Sequence, residues 1–185
     1  MVLEGNTELS QRDDIYGIIV FGANGSGKTT LARELSHILG YKHIDHEEYA
    51  FIDSDIPYTK VRSKTECIEL MLEDIYRYRN FVLSAVTGDF GERIERFYRL
   101  AIHIELPLDI RITRIKEREY KKYDKRVLEG GDLYENTQRF IDFVRNRSEE
   151  GIDEWRSTLS CPLLSIDGAA DYINTALDIV SKHFT

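Results

Sequence analysis

Ile15-Tyr16-Gly17-Ile18-Ile19-Val20-Phe21-Gly22-Ala23-Asn24-Gly25-Ser26-Gly27-Lys28-Thr29-Thr30 is the stretch on which the fold of this chain turns. Its first part is apolar, as a strand buried on both faces of a sheet must be. The second part reads G-x-x-x-x-G-K-T and runs straight into a helical pattern, which is the context a phosphate-binding loop requires. Such a loop wraps an anion in backbone N–H groups that all point inward. That curvature calls for positive φ and no Cβ at Gly22, Gly25 and Gly27, with Ala23, Asn24, Ser26 and Thr30 completing the cradle. The N-terminus of the following helix adds unpaired N–H groups and its dipole. Lys28 supplies a mobile charge for the β- and γ-phosphates, and the Thr29 hydroxyl a coordination position for Mg²⁺.

Outward from this loop, strands and helices alternate. Thr29 to Leu39 predicts a helix with Leu31, Leu35, Ile38 and Leu39 on one side and Gly40 as its stop. Lys42 to Ile44 reads as a second strand, followed by a polar, turn-rich stretch to Arg62. Ser63-x-x-Glu66 is a capping box opening a helix that ends near Asn80. Phe81 to Val86 is a third strand, followed by Thr87-Gly88-Asp89-Phe90-Gly91 and a short helix through Tyr98. Leu100 to Leu106 is a fourth strand, after which Pro107 opens a helix carried by Ile110, Ile112 and Ile115 to about Tyr120. Leu133 to Arg147 and a short segment around Trp155 are helical. Pro162 to Ile166 is the last strand, and Ala170 to Phe184 the closing helix. Five strands separated by helices predict a parallel sheet covered on both faces, because parallel neighbours need right-handed crossovers. Ligands of such sheets bind beyond the carboxyl ends of the strands.

A length of 185 residues fits one domain over 1–185, and 42% hydrophobic with 31% charged residues is ordinary globular composition. Residues 1 to 14 are polar and carry no signal-peptide core, and no stretch reaches membrane-spanning length, so neither a leader nor a membrane is expected. Cys67 and Cys161 are solitary, which fits a reducing cytoplasm. A net charge of −8 argues against a protein that coats polymeric nucleic acid. Arg111 to Arg126 holds eight basic residues against three acidic ones, leaving 17 basic and 30 acidic elsewhere, a balance of −13. Such a run is either a solvated face or the counter-charge to a triphosphate.

Three local matches carry a resemblance. With the phosphate loop stand Leu106-Pro107-Leu108-Asp109-Ile110-Arg111-Ile112-Thr113-Arg114-Ile115-Lys116-Glu117-Arg118 and His43-Ile44-Asp45-His46-Glu47-Glu48. Together they resemble small-molecule kinases built like adenylate kinase and shikimate kinase, over nearly the whole chain in element order. The resemblance implies a three-layer P-loop NTPase fold of the α/β class, with a five-stranded parallel sheet, an acceptor-side insertion at about 45–80 and a short lid at about 119–133. In adenylate kinases the arginines of R-x-x-x-R face the nucleotide, which implies Arg114 against the adenine and phosphates and Arg118 on the transferred phosphoryl group. Positions four apart share one helical face. In shikimate kinases the Asp-x-Asp after the second strand serves Mg²⁺ and the acceptor hydroxyl, which implies Asp45 and, in place of the second Asp, Glu47. Arg126 is the implied lid arginine, Gly130-Gly131 a hinge, and Gly168, after Asp167, a backbone neighbour of adenine.

The loop Gly88-Asp89-Phe90-Gly91-Glu92-Arg93 matches neither family. Asp89 is a candidate either for Mg²⁺-bound water and substrate or for capping the next helix with Glu92. Arg93 and Arg62 are candidates for an anionic acceptor or for solvent. The expected function is Mg²⁺-dependent transfer of the ATP γ-phosphoryl group to a small-molecule acceptor, a nucleotide, nucleoside or hydroxylated metabolite, with no obligate protein partner implied. The alternative is an ATP-binding switch with slow hydrolysis and a macromolecular partner. No Asn-Lys-x-Asp guanine motif and no Leu-Ser-Gly-Gly-Gln transporter signature occurs in the chain.

Overall fold

The computed structural model describes residues 14–52 and 59–184; the expectations for the polar leader up to residue 13 and for residues 53–58 of the acceptor-side insertion lie outside them. The described strands are β1 (Tyr16–Phe21), β2 (Lys42–Asp45), β3 (Phe51–Ile52), β4 (Lys60–Val61), β5 (Asn80–Ala85), β6 (Tyr98–Glu105) and β7 (Leu163–Asp167). Five of them form one sheet in the order β2-β5-β1-β6-β7, and β3 with β4 forms a separate hairpin. Neighbours in the large sheet run parallel, with Phe21 opposite Ala85 and His103, and Asp45 opposite Ser84. The helices are α1 (Lys28–Leu39), α2 (His46–Ala50), α3 (Lys64–Tyr78), α4 (Glu92–Glu95), α5 (Leu108–Tyr123), α6 (Tyr134–Asn146), α7 (Glu150–Arg156) and α8 (Tyr172–His183). This is the three-layer α/β arrangement that the alternation predicts.

Side-chain alternation along β1 assigns the two faces. Ile19 and Phe21 pack with Met71, Leu72 and Ile75 of α3 and with Trp155 of α7, while Ile18 and Val20 pack with Leu31 and Leu35 of α1 and with Ala176 and Ile179 of α8. Ile18 to Phe21 are fully buried, each such side chain being worth roughly 1.5–3 kcal/mol of transfer free energy. A third cluster joins Ile112 and Ile115 of α5 to Ile141 and Val144 of α6. Helices α5 and α6 therefore hold to each other by their own small core. Among the described residues no helix is long and apolar enough to cross a membrane.

Three local expectations are corrected. The stretch after β2 is not all turn: α2 forms because the Asp45 carboxylate accepts from the Glu47 N–H and caps it, with Glu47 and Glu48 in the first turn. The helix expected through Tyr98 stops at Glu95, since the Gly17 N–H bonds the Phe97 carbonyl and Tyr98 already pairs with β1. On α5, Ile110 is exposed, and the inward positions belong to Arg111, Ile112, Ile115 and Glu119. The capping box of α3 is present in full, Ser63 and Glu66 each bonding the other's backbone.

Candidate active site

The phosphate loop leaves β1 at Phe21 and enters α1 at Lys28. Gly22, Gly25 and Gly27 have φ of 143°, 82° and 103°, the left-handed half of backbone space that glycine alone enters freely. A Cβ at Gly27, which caps α1 with backbone only, would collide with the Tyr172 hydroxyl. Among the described residues no acceptor takes the N–H groups of Gly27, Lys28 or Thr29, and the fully buried Ser26 hydroxyl has no partner. The loop thus presents a row of unsatisfied donors, as an anion cradle does.

Lys28 Nζ folds back onto the Ala23 carbonyl at 2.9 Å. Burial pulls its pKa down to about 8, against the charges of Glu47 and Asp45, which hold it up; Arg118 and Arg147 push it down further. The Thr29 hydroxyl donates to Asp45 Oδ2 at 3.0 Å, joining the start of α1 to the end of β2. Two hard oxygen donors so placed suit a Mg²⁺ ion that takes its other ligands from phosphates and water. Among the described residues no group of three or more His, Cys, Asp and Glu gathers to hold a metal on its own. Burial raises the Glu47 pKa, Asp45 raises it further, and Arg118 and Lys28 draw it back. His43 and His46 both have lowered pKa values, burial being the main cause; His43 Nε2 lies 3.2 Å from Ser84 Oγ.

The arginines separate into two groups. Arg114 donates to the Tyr172 hydroxyl at 2.7 Å, and that hydroxyl lies 2.8 Å from the carbonyls of both Ser26 and Gly168. Arg114, Tyr172, the loop and the turn at Gly168 are therefore one assembly. Arg118, one turn further along α5, bonds Glu119 and lies in electrostatic reach of both Lys28 and Glu47. Arg126, in the 3-10 turn Asp124–Val127, is instead held by Asp132 at 2.7 Å, at the surface. Gly130 takes the left-handed φ of 85° there.

On the side expected from the sequence to hold an acceptor, Arg62 donates to the carbonyls of Tyr49 (2.9 Å) and Phe51 (3.2 Å), at the end of α2. Arg93 is engaged by both oxygens of Glu69. Asp89 does not cap α4: Gly91 does, and its N–H is taken by Glu95, leaving Asp89 in a loose exposed pair with Lys64 at 3.9 Å. The Gly91 φ of 78° sets the entry into so short a helix. Asp45 and Glu47 remain beside Lys28, and the His46 ring meets the Phe90 ring at 5.0 Å, which draws α2 against the Gly88–Phe90 loop.

Residues that sequence reading missed complete the site. Arg147, just past α6, donates to the Asn24 side-chain oxygen at 3.2 Å. Arg111 is buried, and its Nη1 reaches the Asn24 carbonyl at 3.3 Å. Tyr172 is a single tyrosine in a C-terminal helix. Only Arg111 left a signal, as a charge where the α5 stripe wants an apolar residue.

The family described as "AAA domain" matches residues 18–150. A Bacillus subtilis (strain 168) protein described as "Uncharacterized protein YqaC" is 28% identical over 177 residues, spanning 90% of this chain and 98% of its own. Shikimate kinase from Bacteroides thetaiotaomicron is similar in structure with a TM-score of 0.55 and 18% identity, over 90% of this chain and 97% of that one. Shikimate kinase from Acinetobacter baumannii in complex with shikimate gives 0.53 and 17%, over 92% and 96%. A gluconokinase from Sinorhizobium meliloti 1021 gives 0.51 and 12%, over 90% and 92%. At these identities the likeness to the solved structures is one of fold.

Proposed function

The chain belongs to the AAA domain family, and on that premise we propose that it moves the γ-phosphoryl group of ATP to a small-molecule acceptor, as a Mg²⁺-dependent kinase. One juxtaposition carries the reading. Thr29 and Asp45 sit together, 3.0 Å apart, beside a lysine that opens the helix of a phosphate loop, with Glu47 in electrostatic reach. A loop that only bound a phosphate has no use for a second, proton-accepting carboxylate at that point.

In the proposed reaction the loop N–H groups and Lys28 hold the β- and γ-phosphates. Glu47, its pKa raised towards the working range of a base, takes the proton of the acceptor hydroxyl. The acceptor oxygen bonds to the γ-phosphorus as the bond to the β-γ bridging oxygen breaks, and ADP leaves. Mg²⁺, held through Thr29 and Asp45, supplies neutralisation of the phosphate oxygens. Arg118 faces the same group, and Arg114 with Gly168 flanks the nucleotide. Lid closure by 119–133, carrying Arg126, shields the transfer from water. Free Cys67 and Cys161 suit a reducing cytoplasm.

The test is ADP formation from Mg·ATP across a panel of nucleoside monophosphates, nucleosides, sugars, sugar acids and aminoglycosides, with Lys28→Ala as control. An acceptor that accelerates ADP release in the wild type but not in the variant supports the reading; turnover indifferent to every acceptor goes against it.

A further inference from the structure

The inward stripe of α5 contains an arginine where its neighbours Ile112 and Ile115 pack a small core. Arg111 is 4% exposed, and each of its nitrogens reaches a different segment. Nε donates to the Leu106 carbonyl at 3.0 Å, at the exit of β6; Nη1 meets the Asn24 carbonyl at 3.3 Å, in the phosphate loop; Nη2 bonds the Glu149 carboxylate, in the connection between α6 and α7. Two residues before Glu149, Arg147 donates to the side-chain oxygen of the same Asn24 and lies over the Phe143 ring at 5.4 Å. Asn24 is thus held by its carbonyl from one side and by its amide from the other. Arg111 with Glu149 ties those two grips together. A shallow recess lies at the junction, lined by Ala23, Asn24, Val86, Arg111, Arg147 and Glu149.

Stability alone gives no reason for this arrangement. An apolar residue of similar volume on that stripe would extend the Ile112–Ile115 core without the desolvation cost of a guanidinium. The ion pair instead fixes the register of the α6–α7 connection against the loop, and with it the direction of Arg147. Resting on the kinase reading above, we propose that Arg111 and Glu149 are positioning residues, which hold the Arg147 guanidinium at the mouth of the phosphate loop so that it meets the γ-phosphate of bound ATP. Arg147 contacts the third phosphate; Arg111 and Glu149 act through it.

The proposal predicts a pattern across nucleotides rather than a general weakening. Mg·ATP and Mg·ADP are titrated by calorimetry against the wild type, Glu149→Ala, Glu149→Gln, Arg147→Ala and the Arg147→Ala/Glu149→Ala double variant. The melting temperature of each is read alongside. Glu149 is largely exposed but Arg111 is not, so Glu149→Ala leaves a buried guanidinium without its ion-pair partner, whereas Glu149→Gln keeps an acceptor there and is the variant that preserves the fold. Glu149→Ala should weaken ATP roughly tenfold with ADP unchanged, and Glu149→Gln, which keeps an acceptor oxygen at the same reach, should recover most of that loss. In the Arg147→Ala background, Glu149→Ala should cost nothing further, since both act through one contact. Equal losses for ATP and ADP, or independent losses that multiply in the double variant, overturn the positioning role. No nucleotide binding by the wild type overturns the kinase reading itself, and the proposal with it.

Discussion

At the phosphate loop the N–H groups of Gly27, Lys28 and Thr29 end without a described protein acceptor, whereas on the acceptor side Arg62 ends on the Tyr49 and Phe51 carbonyls and Arg93 on Glu69. One region keeps its donors open and the other satisfies them internally. The first is built from backbone, whose geometry any triphosphate demands alike. The second is built from side chains, which on the proposed reading must suit one acceptor among many. The two meet at Asp45, which ends β2, caps α2 and accepts from Thr29. On the reading proposed above, phosphate binding rests on the side that the fold dictates, and the choice of acceptor on the side where this chain departs from the kinases it resembles. Among the described residues Arg62 and Arg93 are engaged within the fold, while Asp45 and Glu47 lie beside Lys28, and on the proposed reading these two carboxylates face the acceptor.

The hardest blow to the loop side is Lys28→Ala, which should lower turnover by about a hundred- to a thousandfold, the usual loss when one preorganised charge on a transferring group is removed. Far-ultraviolet circular dichroism should stay unchanged, since among the described residues the Lys28 ammonium bonds the Ala23 carbonyl alone. Glu47→Gln tests the other side. Acceptor-dependent transfer should fall about a hundredfold, as expected for loss of a general base, while ATP affinity measured by titration holds. If Glu47→Gln weakened ATP as much as transfer, the division between the two regions would not stand.

A pH titration sharpens the division. Burial lowers Lys28 to about 8, so above that pH the free protein loses the ammonium that phosphates need. Binding must then take up a proton, and apparent ATP affinity should fall by up to about tenfold per unit between pH 8 and 10. The same shift acts on stability with the opposite sign. Between about 8 and the ordinary value of 10.5 the unfolded chain binds the Lys28 proton and the folded one does not, so this residue favours folding more as pH rises. A parallel loss of melting temperature in that range would trace the affinity change to unfolding instead. The smallest effect belongs to Arg93→Ala. Its pair with Glu69 is solvent-exposed, and such pairs add little, so both turnover and melting temperature should stay within error of wild type. A clear rise in acceptor KM in that variant would place Arg93 on the acceptor in the closed state.

Sequence legibility followed the same divide. The central strands β1 and β5 were readable because burial on both faces leaves long apolar runs, and the loop because three positive-φ glycines at fixed spacing have no other common use. The Ser63–Glu66 box announced α3 by local hydrogen bonding alone. Helix α2 was missed, although Asp45 followed by Glu47 and Glu48 is a cap with an acidic first turn; five residues are too few to show a 3.6-residue period. The boundary at Tyr98 was missed because Ile94, Phe97 and Tyr98 fit a helix face as well as a strand, and only pairing with Gly17 decides. Arg147, Tyr172 and the Arg111–Glu149 tie lie far from the loop in sequence and near it in space. Their roles come from tertiary packing, which leaves no local pattern to read.

On the proposed reading the third phosphate goes to an acceptor and not to water. The most direct measurement follows γ-labelled ATP with Mg²⁺ and each member of the acceptor panel, and asks where the label ends. Label should appear on an acceptor hydroxyl, in amount equal to the ADP formed, and about a hundredfold more slowly with Glu47→Gln. Label found only as inorganic phosphate, at one slow rate whatever acceptor is present, would contradict it and leave a nucleotide switch.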